Sequence, residues 1–303
     1  MSQPTYFVAG ATGTVGSRVF ARLVREHPGA RVVRGVRRAE TDDTDRRFDL
    51  TRPREASVAL HGVDAAFLML PPGLSRAGER FGELLRSVPE GRGPRRVVFM
   101  SVQGAESRGY LPHAKAEAAL RGALRERGDL TALTVLRPSY FMQNLETAFR
   151  RDLAERRELV APLGAARLLW VDAGDIARAA VVAMRWREGA GPDLDGYRAF
   201  AITGTEHRGF GYVAETLSRF TGEAYRYRAV GPVAFYRHRR RQGVSWGGAA
   251  VQAAIHFAER WGREAPVRAD YTYLTGQPPR RLDDYLRDLG GRLEIGETSG
   301  RRS

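Results

Sequence analysis

The 303-residue chain is long enough for about two domains, which excludes a small protein held together mainly by disulfides. Hydrophobic residues make up 43% and charged residues 28% of the chain, the ordinary composition of a globular protein, so a wholly disordered chain is also excluded. The chain has no cysteine, its six histidines lack metal-ligand spacing, and neither a secretory signal nor a membrane-length apolar run is present. We therefore expect a cytoplasmic protein with no membrane association and no metal site.

The formal net charge of +14 comes from arginine, because Lys115 is the only lysine among 49 basic residues. Such a bias is typical of a GC-rich genome, so the basic charge is weak evidence for nucleic-acid binding, which we do not expect. An ammonium group is compact and can give up a proton, whereas a guanidinium stays charged. The single lysine is therefore a candidate functional residue.

Apolar runs of strand length alternate with amphipathic stretches of helix length through the first half of the chain. The predicted strands are Tyr6–Ala9, Arg31–Val36, Ala65–Leu70, Arg96–Ser101 and Leu130–Leu136. The predicted helices are Val15–Glu26, Pro53–Leu60, Arg76–Val88 and Pro112–Arg127. Nearly continuous hydrophobic strands separated by helices predict an α/β fold with a doubly wound parallel sheet.

The alternation weakens after Pro138. A helix is predicted at Ile176–Trp186 and a strand at Tyr197–Thr203, after which helices and short strands continue. We predict a dinucleotide-binding domain at residues 1–155, to which residues 165–204 return. Residues 205–295, with parts of 140–165, are predicted to form a smaller α/β cap that binds substrate.

A glycine-rich turn follows the first predicted strand. Gly10, Gly13 and Gly16 are spaced three residues apart. Gly10 permits a tight turn, Gly13 lets a pyrophosphate approach the backbone, and Gly16 lets the helix pack against the strand. The N-terminus of the next helix then faces the phosphates. A Rossmann-type dinucleotide site is therefore predicted, with the turn residues Thr12, Thr14 and Val15 among its contacts.

The end of the second strand predicts which dinucleotide binds. An acidic residue there holds the free ribose of NAD, but this chain has Arg37 and Arg38, which suit the 2′-phosphate of NADP. Further cofactor contacts are expected where the next strands end. These candidates are Asp49 and Leu50 near the adenine, and Leu70, Pro71 and Pro72 beside the nicotinamide half.

The motifs together resemble the NmrA-like family of atypical short-chain dehydrogenases, and the resemblance covers almost the whole chain. They are the glycine-rich turn at 10–16, Met100–Ala105, His113–Glu117, Leu136–Asn144, Trp170–Ala177, Tyr197–Gly204 and Thr275–Arg280. The resemblance implies an NADPH-dependent reductase of quinones, iminium ions or related molecules. It equally allows a non-catalytic regulator that senses NADP and acts through a protein partner.

The resemblance also implies roles for single residues. Lys115 is expected to contact the nicotinamide ribose and assist proton transfer, and the turn formed by Pro138, Tyr140 and Phe141 is expected to lie beside the nicotinamide. The usual short-chain dehydrogenase pair has a tyrosine four residues before the lysine, but Leu111 stands there. Ordinary alcohol dehydrogenation is therefore not expected.

The remaining chemistry requires an electrophile placed near the cofactor and a group that supplies a proton or positive charge. Lys115, His113 and Ser101 are the candidate catalytic residues, because all three are expected at the carboxyl edge of the sheet. The candidate substrate contacts are Tyr140, Asn144, Trp170 and Phe235, although core packing explains any one aromatic residue of the cap, such as Trp170 or Phe235, more often than a substrate pocket does.

The leading hypothesis is an NADPH-dependent reductase of a small unsaturated, quinonoid or iminium substrate in secondary metabolism. The regulator is the alternative, and a homodimer is left open. A third hypothesis, a nucleic-acid patch at Arg237–Arg241, is the weakest, because no nucleic-acid-binding motif accompanies it and a solvated helix face explains the run.

Overall fold

The computed structural model describes residues 3–38, 44–130, 132–185, 196–261 and 264–300, with backbone only for 294–300. This part of the chain forms two compact units. Unit 1 comprises residues 1–139, 173–202 and 268–278, and unit 2 comprises residues 140–172, 203–267 and 279–303.

The strands of the described chain follow one another in this order: β1 (Thr5–Ala9), β2 (Arg31–Val36), β3 (Asp45–Arg47), β4 (Ala65–Met69), β5 (Arg96–Met100), β6 (Ala132–Pro138), β7 (Tyr140–Phe141), β8 (Glu158–Ala161), β9 (Arg167–Val171), β10 (Tyr197–Ile202), β11 (His207–Gly209) and β12 (Arg226–Ala229).

The helices of the described chain are α1 (Gly16–Glu26), α2 (Pro53–Ser57), α3 (Ala77–Arg86), α4 (Pro112–Glu126), α5 (Asn144–Thr147), α6 (Arg150–Arg156), α7 (Ala173–Arg185), α8 (Phe210–Thr221), α9 (Pro232–Arg241), α10 (Trp246–Glu259), α11 (Asp270–Thr275) and α12 (Leu282–Gly300). None of them is both long enough and apolar enough to cross a membrane.

Unit 1 is built on a seven-stranded sheet in the order β10-β6-β5-β4-β1-β2-β3, and every neighbouring pair is parallel. The chain winds outward from β1 to β3 in one direction and from β4 to β10 in the other. The order therefore reverses between β1 and β4, the switch point at which open α/β sheets bind ligands. The predicted doubly wound parallel sheet is confirmed.

Helices cover both faces of this sheet. Helices α2, α3 and α4 contribute to one apolar core with inward-facing strand residues such as Phe7 and Phe99. Helices α1 and α7 pack against each other, and α7 also contacts β4, β5 and β6. Burial on both faces explains why the strands are nearly continuously hydrophobic.

Unit 2 has two small sheets and its own apolar core. In one sheet β9 pairs parallel with β7 and antiparallel with β11, and in the other β8 pairs parallel with β12. The core contains Trp170, Phe149, Phe210, Phe235 and Tyr285. Unit 2 therefore has a hydrophobic core of its own.

Most predicted elements are present with shifted ends. The predicted helix at 53–60 is the short α2 followed by a 3₁₀ turn at Val58–Leu60, a common way for a helix to tighten at its end. Arg76 adopts a left-handed backbone (φ 53°), so α3 begins one residue later than predicted. Thr131 and Trp186, at predicted strand and helix positions, lie outside the described residues.

The unit boundaries differ from the predicted domain boundaries at β9 and at α11, among other positions. Strand β9 belongs to unit 2, whereas residues 165–204 had been predicted to return to the first domain. Helix α11 belongs to unit 1, whereas residues 205–295 had been predicted to form the cap. Both differences arise because a strand or helix joins the unit where its side chains pack, which local patterns do not specify.

Candidate active site

The glycine-rich turn joins β1 to α1 at the switch point of the sheet. Gly10 has a positive φ of 63°, and a Cβ atom there would lie 2.5 Å from Met69 Sδ at the end of β4. A Cβ at Gly16 would lie 2.1 Å from the Gly10 carbonyl oxygen. Any side chain at these two positions would disrupt the turn, which explains the spacing of the glycines.

The N-terminus of α1 has an electrostatic character that suits an anion. No side chain of the described residues caps this end, and its first turn has no acidic residue. The preceding residues Thr12 and Thr14 are exposed and half-buried, whereas Val15 is buried. Uncapped amides and the positive end of the helix dipole favour phosphate at this position.

Arg37 and Arg38 come directly after β2 and are exposed. Arg34, inside β2, instead donates from Nε to Asp45 Oδ1 of β3 at 2.6 Å. The ion pair of Arg34 with the neighbouring strand distinguishes a structural arginine from the two exposed ones. The structure thus places two cations where a ribose 2′-phosphate is predicted.

Asp49 follows β3 and forms a local turn. Its Oδ1 accepts hydrogen bonds from the backbone and the hydroxyl of Thr51, at 2.9 and 2.8 Å. These bonds, the backbone one first, lower the pKa of Asp49 below its ordinary value. The neighbouring Leu50 is buried, and after β4 Leu70 and Pro71 are half-buried while Pro72 is exposed.

Ser101 follows β5 and is almost completely buried. Its amide donates to the Leu136 carbonyl at 2.8 Å, and its hydroxyl donates to Oε1 of Glu117 on α4. Glu117 also accepts two bonds from Arg137 near the end of β6, at 3.1 Å from Nε and 2.5 Å from Nη2. Although burial opposes it, the pairing with Glu117 raises the pKa of Arg137.

Helix α4 carries the other two candidate catalytic residues in its first turns. His113 is half-buried, and burial lowers its pKa, opposed in part by the charge of Glu117. Lys115 is exposed, and its ammonium has no hydrogen-bond or ion-pair partner among the described residues. Leu111, the residue before the helix, confirms that no phenol stands one turn before the lysine.

Tyr140 opens unit 2 and takes part in a hydrogen-bonded chain. Its hydroxyl lies 2.8 Å from His256 Nε2, and His256 Nδ1 lies 2.7 Å from the Gln252 carbonyl oxygen. A carbonyl only accepts, so the neutral imidazole carries its proton on Nδ1 and Nε2 accepts from Tyr140. Burial raises the pKa of Tyr140, and a hydrogen bond from the half-buried Asn144 opposes the rise.

The other predicted contacts lie in different surroundings. Trp170 and Phe235 have only 1% of their surface exposed and belong to the core of unit 2. Trp170 donates from Nε1 to the Arg208 carbonyl at 2.8 Å. Phe141 is half-buried in β7, and Pro138 is buried at the end of β6.

The basic run on α9 is not simply a solvated helix face. Arg239 is buried and donates to Gln252 Oε1 and to the Ala148 carbonyl, at 2.8 and 2.5 Å. The expectation that the entire run faces solvent is therefore wrong at this residue, because the α9–α10 packing takes it inside.

No family model matches the chain. The chain is 30% identical over 297 residues to an NAD(P)H azoreductase of Xenophilus azovorans, covering 92% of this chain and 96% of that relative. Among solved structures it is similar to the triphenylmethane reductase of Citrobacter sp. complexed with NADP(H), with a TM-score of 0.78, 19% identity and coverage of 94% and 99%. It is also similar to the NADPH-dependent quinone oxidoreductase QOR2 of Escherichia coli, with a TM-score of 0.76, 19% identity and the same coverage.

The identity to the azoreductase over nearly the whole chain decides the family. The chain belongs to the NmrA-like family of atypical short-chain dehydrogenases. It is an NAD(P)H-dependent oxidoreductase. The predicted family, enzyme class and nicotinamide cofactor are confirmed, whereas the roles of the individual site residues stay predictions.

Two features of the structure were missed by the sequence analysis. The pairing of Glu117 with Arg137 and Ser101 is only weakly indicated in the sequence, by the presence of a carboxylate two residues after Lys115 in the motif. The pairing of Tyr140 with His256 is not indicated there, because 116 residues separate them. Both depend on how distant parts of the chain fold together.

Proposed function

We propose that this member of the family reduces a small apolar molecule of the azo, quinonoid or iminium type with NADPH. The observation that carries the proposal is the start of α4, where Leu111 replaces a phenol and Lys115 offers an ammonium that no described residue pairs with. Such a site lacks the usual acid of alcohol dehydrogenation but can stabilise a developing negative charge.

The residues of unit 1 fit the cofactor. Gly13 has no side chain where a pyrophosphate would approach, and no described side chain caps the N-terminus of α1. Arg37 and Arg38 would bind the 2′-phosphate, and Asp49 would lie at the adenine end. NADP is therefore favoured over NAD.

The bound nicotinamide supplies the hydride. Lys115 would hold the nicotinamide ribose and place its positive charge near the reacting atoms. His113 would be neutral near pH 7, since its pKa is lowered, and an uncharged imidazole can still donate one N–H bond. Neither residue needs to remove a proton from the substrate.

Electrophiles that accept hydride without strong acid catalysis suit this arrangement. The names of the similar proteins point the same way, since they describe reductases of azo compounds, triphenylmethane and quinones. Tyr140 and Asn144 are proposed as polar contacts of such a substrate. Roles of Trp170 and Phe235 in substrate binding, a homodimer and a place in secondary metabolism stay predictions.

The test incubates the purified protein and NADPH with a panel of azo dyes, triphenylmethane dyes, quinones, enones and imines. Loss of NADPH absorbance with at least one class, and much slower loss with Lys115→Met, is the expected result. Tight binding of NADPH without consumption across the panel would instead favour the non-catalytic regulator.

A further inference from the structure

Two polar residues of unit 1, Ser101 and Arg137, meet at the buried carboxylate of Glu117 beside the carboxyl edge of the sheet. Glu117 on α4 accepts from Ser101, which follows β5, and from Arg137 near the end of strand β6. Arg137 further lies 3.6 Å from Glu106 and 3.5 Å from the Tyr197 hydroxyl. We call Ser101, Glu117 and Arg137 the Glu117 cluster.

The cluster joins α4 to strands β5 and β6 close to the first turns of α4, which carry His113 and Lys115. Buried ion pairs are poor contributors to stability compared with apolar packing, so their presence is better explained by the geometry that they impose. Glu117 stands two residues after Lys115 on a helix that turns 100° per residue. Holding Glu117 against the sheet therefore directs Lys115 away from it, to the exposed side on which it is found.

A second contact involves the same turn of α4. A Cβ added at Gly78 of α3 would lie 2.9 Å from the Lys115 carbonyl oxygen, so the backbones of α3 and α4 nearly touch. The turn that carries Lys115 is thus contacted both by α3 and, through Glu117, by the sheet. Neither contact restrains the lysine side chain itself.

The cluster also sets the hydrogen-bonding polarity of Ser101. A hydroxyl has one proton, and that of Ser101 is given to Glu117. Only the lone pairs of its oxygen remain for another group. Ser101 can accept a hydrogen bond from a ribose hydroxyl or a carboxamide, but it cannot donate one to a substrate while the cluster is intact.

We propose that Glu117 is a positioning residue of this reductase, which holds Lys115 at the carboxyl edge and fixes Ser101 as a hydrogen-bond acceptor. The proposal rests on the proposed function and deepens it. It removes Ser101 from the three candidate proton donors and leaves Lys115 and His113.

The single lysine allows a test that does not depend on turnover. Reductive methylation with ¹³C-formaldehyde labels Lys115 and the amino terminus only, and the signal absent from Lys115→Arg is that of the lysine. In the unaltered protein, NADP⁺ should shift this signal. In Glu117→Gln the shift should be lost or greatly reduced, because the side chain loses its negative charge and its NH₂ group cannot accept the bond that Arg137 Nη2 donates to Glu117 Oε2.

The matched control is Glu126→Gln, the same change on the same helix at an exposed residue that lies 3.9 Å from Arg86. It should keep the NADP⁺-dependent shift. An unchanged shift in folded Glu117→Gln would overturn the positioning role. Should Glu117→Gln fail to fold, Arg137→Lys provides the second variant, since it keeps one charge but cannot make the two-bond pairing, and the same loss is expected.

Kinetics test the role of Ser101. Ser101→Ala removes only a hydrogen-bond acceptor and should act mainly by raising the KM for NADPH, whereas Glu117→Gln should lower kcat by about tenfold or more through misplacement of Lys115. A loss of about 100-fold in kcat in Ser101→Ala would overturn the assignment of Ser101 as an acceptor, since it would identify the hydroxyl as a proton donor.

The two proposals can fail separately. If Lys115→Met retains full kcat, the proposed catalytic role of the lysine is wrong, but the NMR shift still reports whether Glu117 positions it. If the NADP⁺-dependent shift is the same in Glu117→Gln while Lys115→Met has a lowered kcat, the proposed function stands and the positioning role of Glu117 is wrong.

Discussion

At the scale of single residues, both the composition and the structure single out Lys115. Arginine occupies all the remaining Lys or Arg positions of the chain. At position 115 the chain instead has an exposed ammonium without a partner in the described structure. We expect Lys115→Met to lower kcat by about 10²-fold or more, the range typical of a lost general acid or charge. Steady-state kinetics with any accepted substrate is the measurement.

The arginine variant separates charge from shape. Lys115→Arg should restore only part of the lost kcat, because guanidinium keeps the charge but is planar, bulkier and cannot give up its proton. If instead the lysine is an ordinary surface residue, both variants will turn over normally and change stability by less than about 0.5 kcal/mol.

The exposed arginines after β2 predict cofactor preference. Arg37→Ala or Arg38→Ala should weaken NADP(H) binding by about ten- to 100-fold, which corresponds to about 1.5 to 3 kcal/mol for one charge-assisted contact, and should leave NAD(H) binding nearly unchanged. Calorimetric dissociation constants for both dinucleotides measure this. Arg92→Ala, at another exposed loop arginine, is the matched control, and equal constants for the two cofactors in the unaltered protein would contradict the prediction.

At the scale of elements, the close contact between α3 and α4 helps to decide where the turn of α4 that carries Lys115 lies. Gly78→Ala would place a Cβ 2.9 Å from the Lys115 carbonyl oxygen, so the two helices must separate. We expect a loss of about 1 to 3 kcal/mol in the free energy of unfolding, the usual effect of overpacking. Urea unfolding provides the measurement.

Gly122 provides the matched control on α4. A Cβ there would meet nothing within 4 Å, so Gly122→Ala should stabilise the protein by about 0.5 to 1 kcal/mol through reduced freedom of the unfolded chain. If the two alanine variants have the same stability, the helices are not in close contact at Gly78.

At the scale of the whole molecule, each unit contains a histidine that folding keeps neutral. Burial lowers the pKa of His113 in unit 1 and of His256 in unit 2. The unfolded chain takes up protons at about pH 6.5, before the folded protein does. The unfolded state then binds more protons, so stability falls as pH decreases below about 6.5 toward the folded pKa values.

Thermal unfolding at about pH 7.5 and about pH 5.5 tests this effect. Tm should be lower at the acidic pH, and His256→Gln should reduce the difference between the two pH values even if it lowers Tm at both. A Tm that rises on acidification would show that other groups dominate the linkage.

The sequence alone determined the local features of this protein. Near-continuous apolar strands require a sheet covered on both faces, and three glycines at fixed spacing require a tight turn before a helix. The single lysine was visible in the composition. These features follow from neighbouring residues, whose steric and solvation preferences act over a few positions of the chain.

The pairing of distant residues follows from the tertiary fold and not from the local sequence. The tertiary fold paired the hydroxyl of Ser101 with Glu117, linked Tyr140 to His256, and took Arg239 out of the solvent. It also assigned β9 to unit 2 and α11 to unit 1. A buried polar group must find a partner wherever the folded chain provides one, and that partner depends on the path of the whole chain, which no local pattern records.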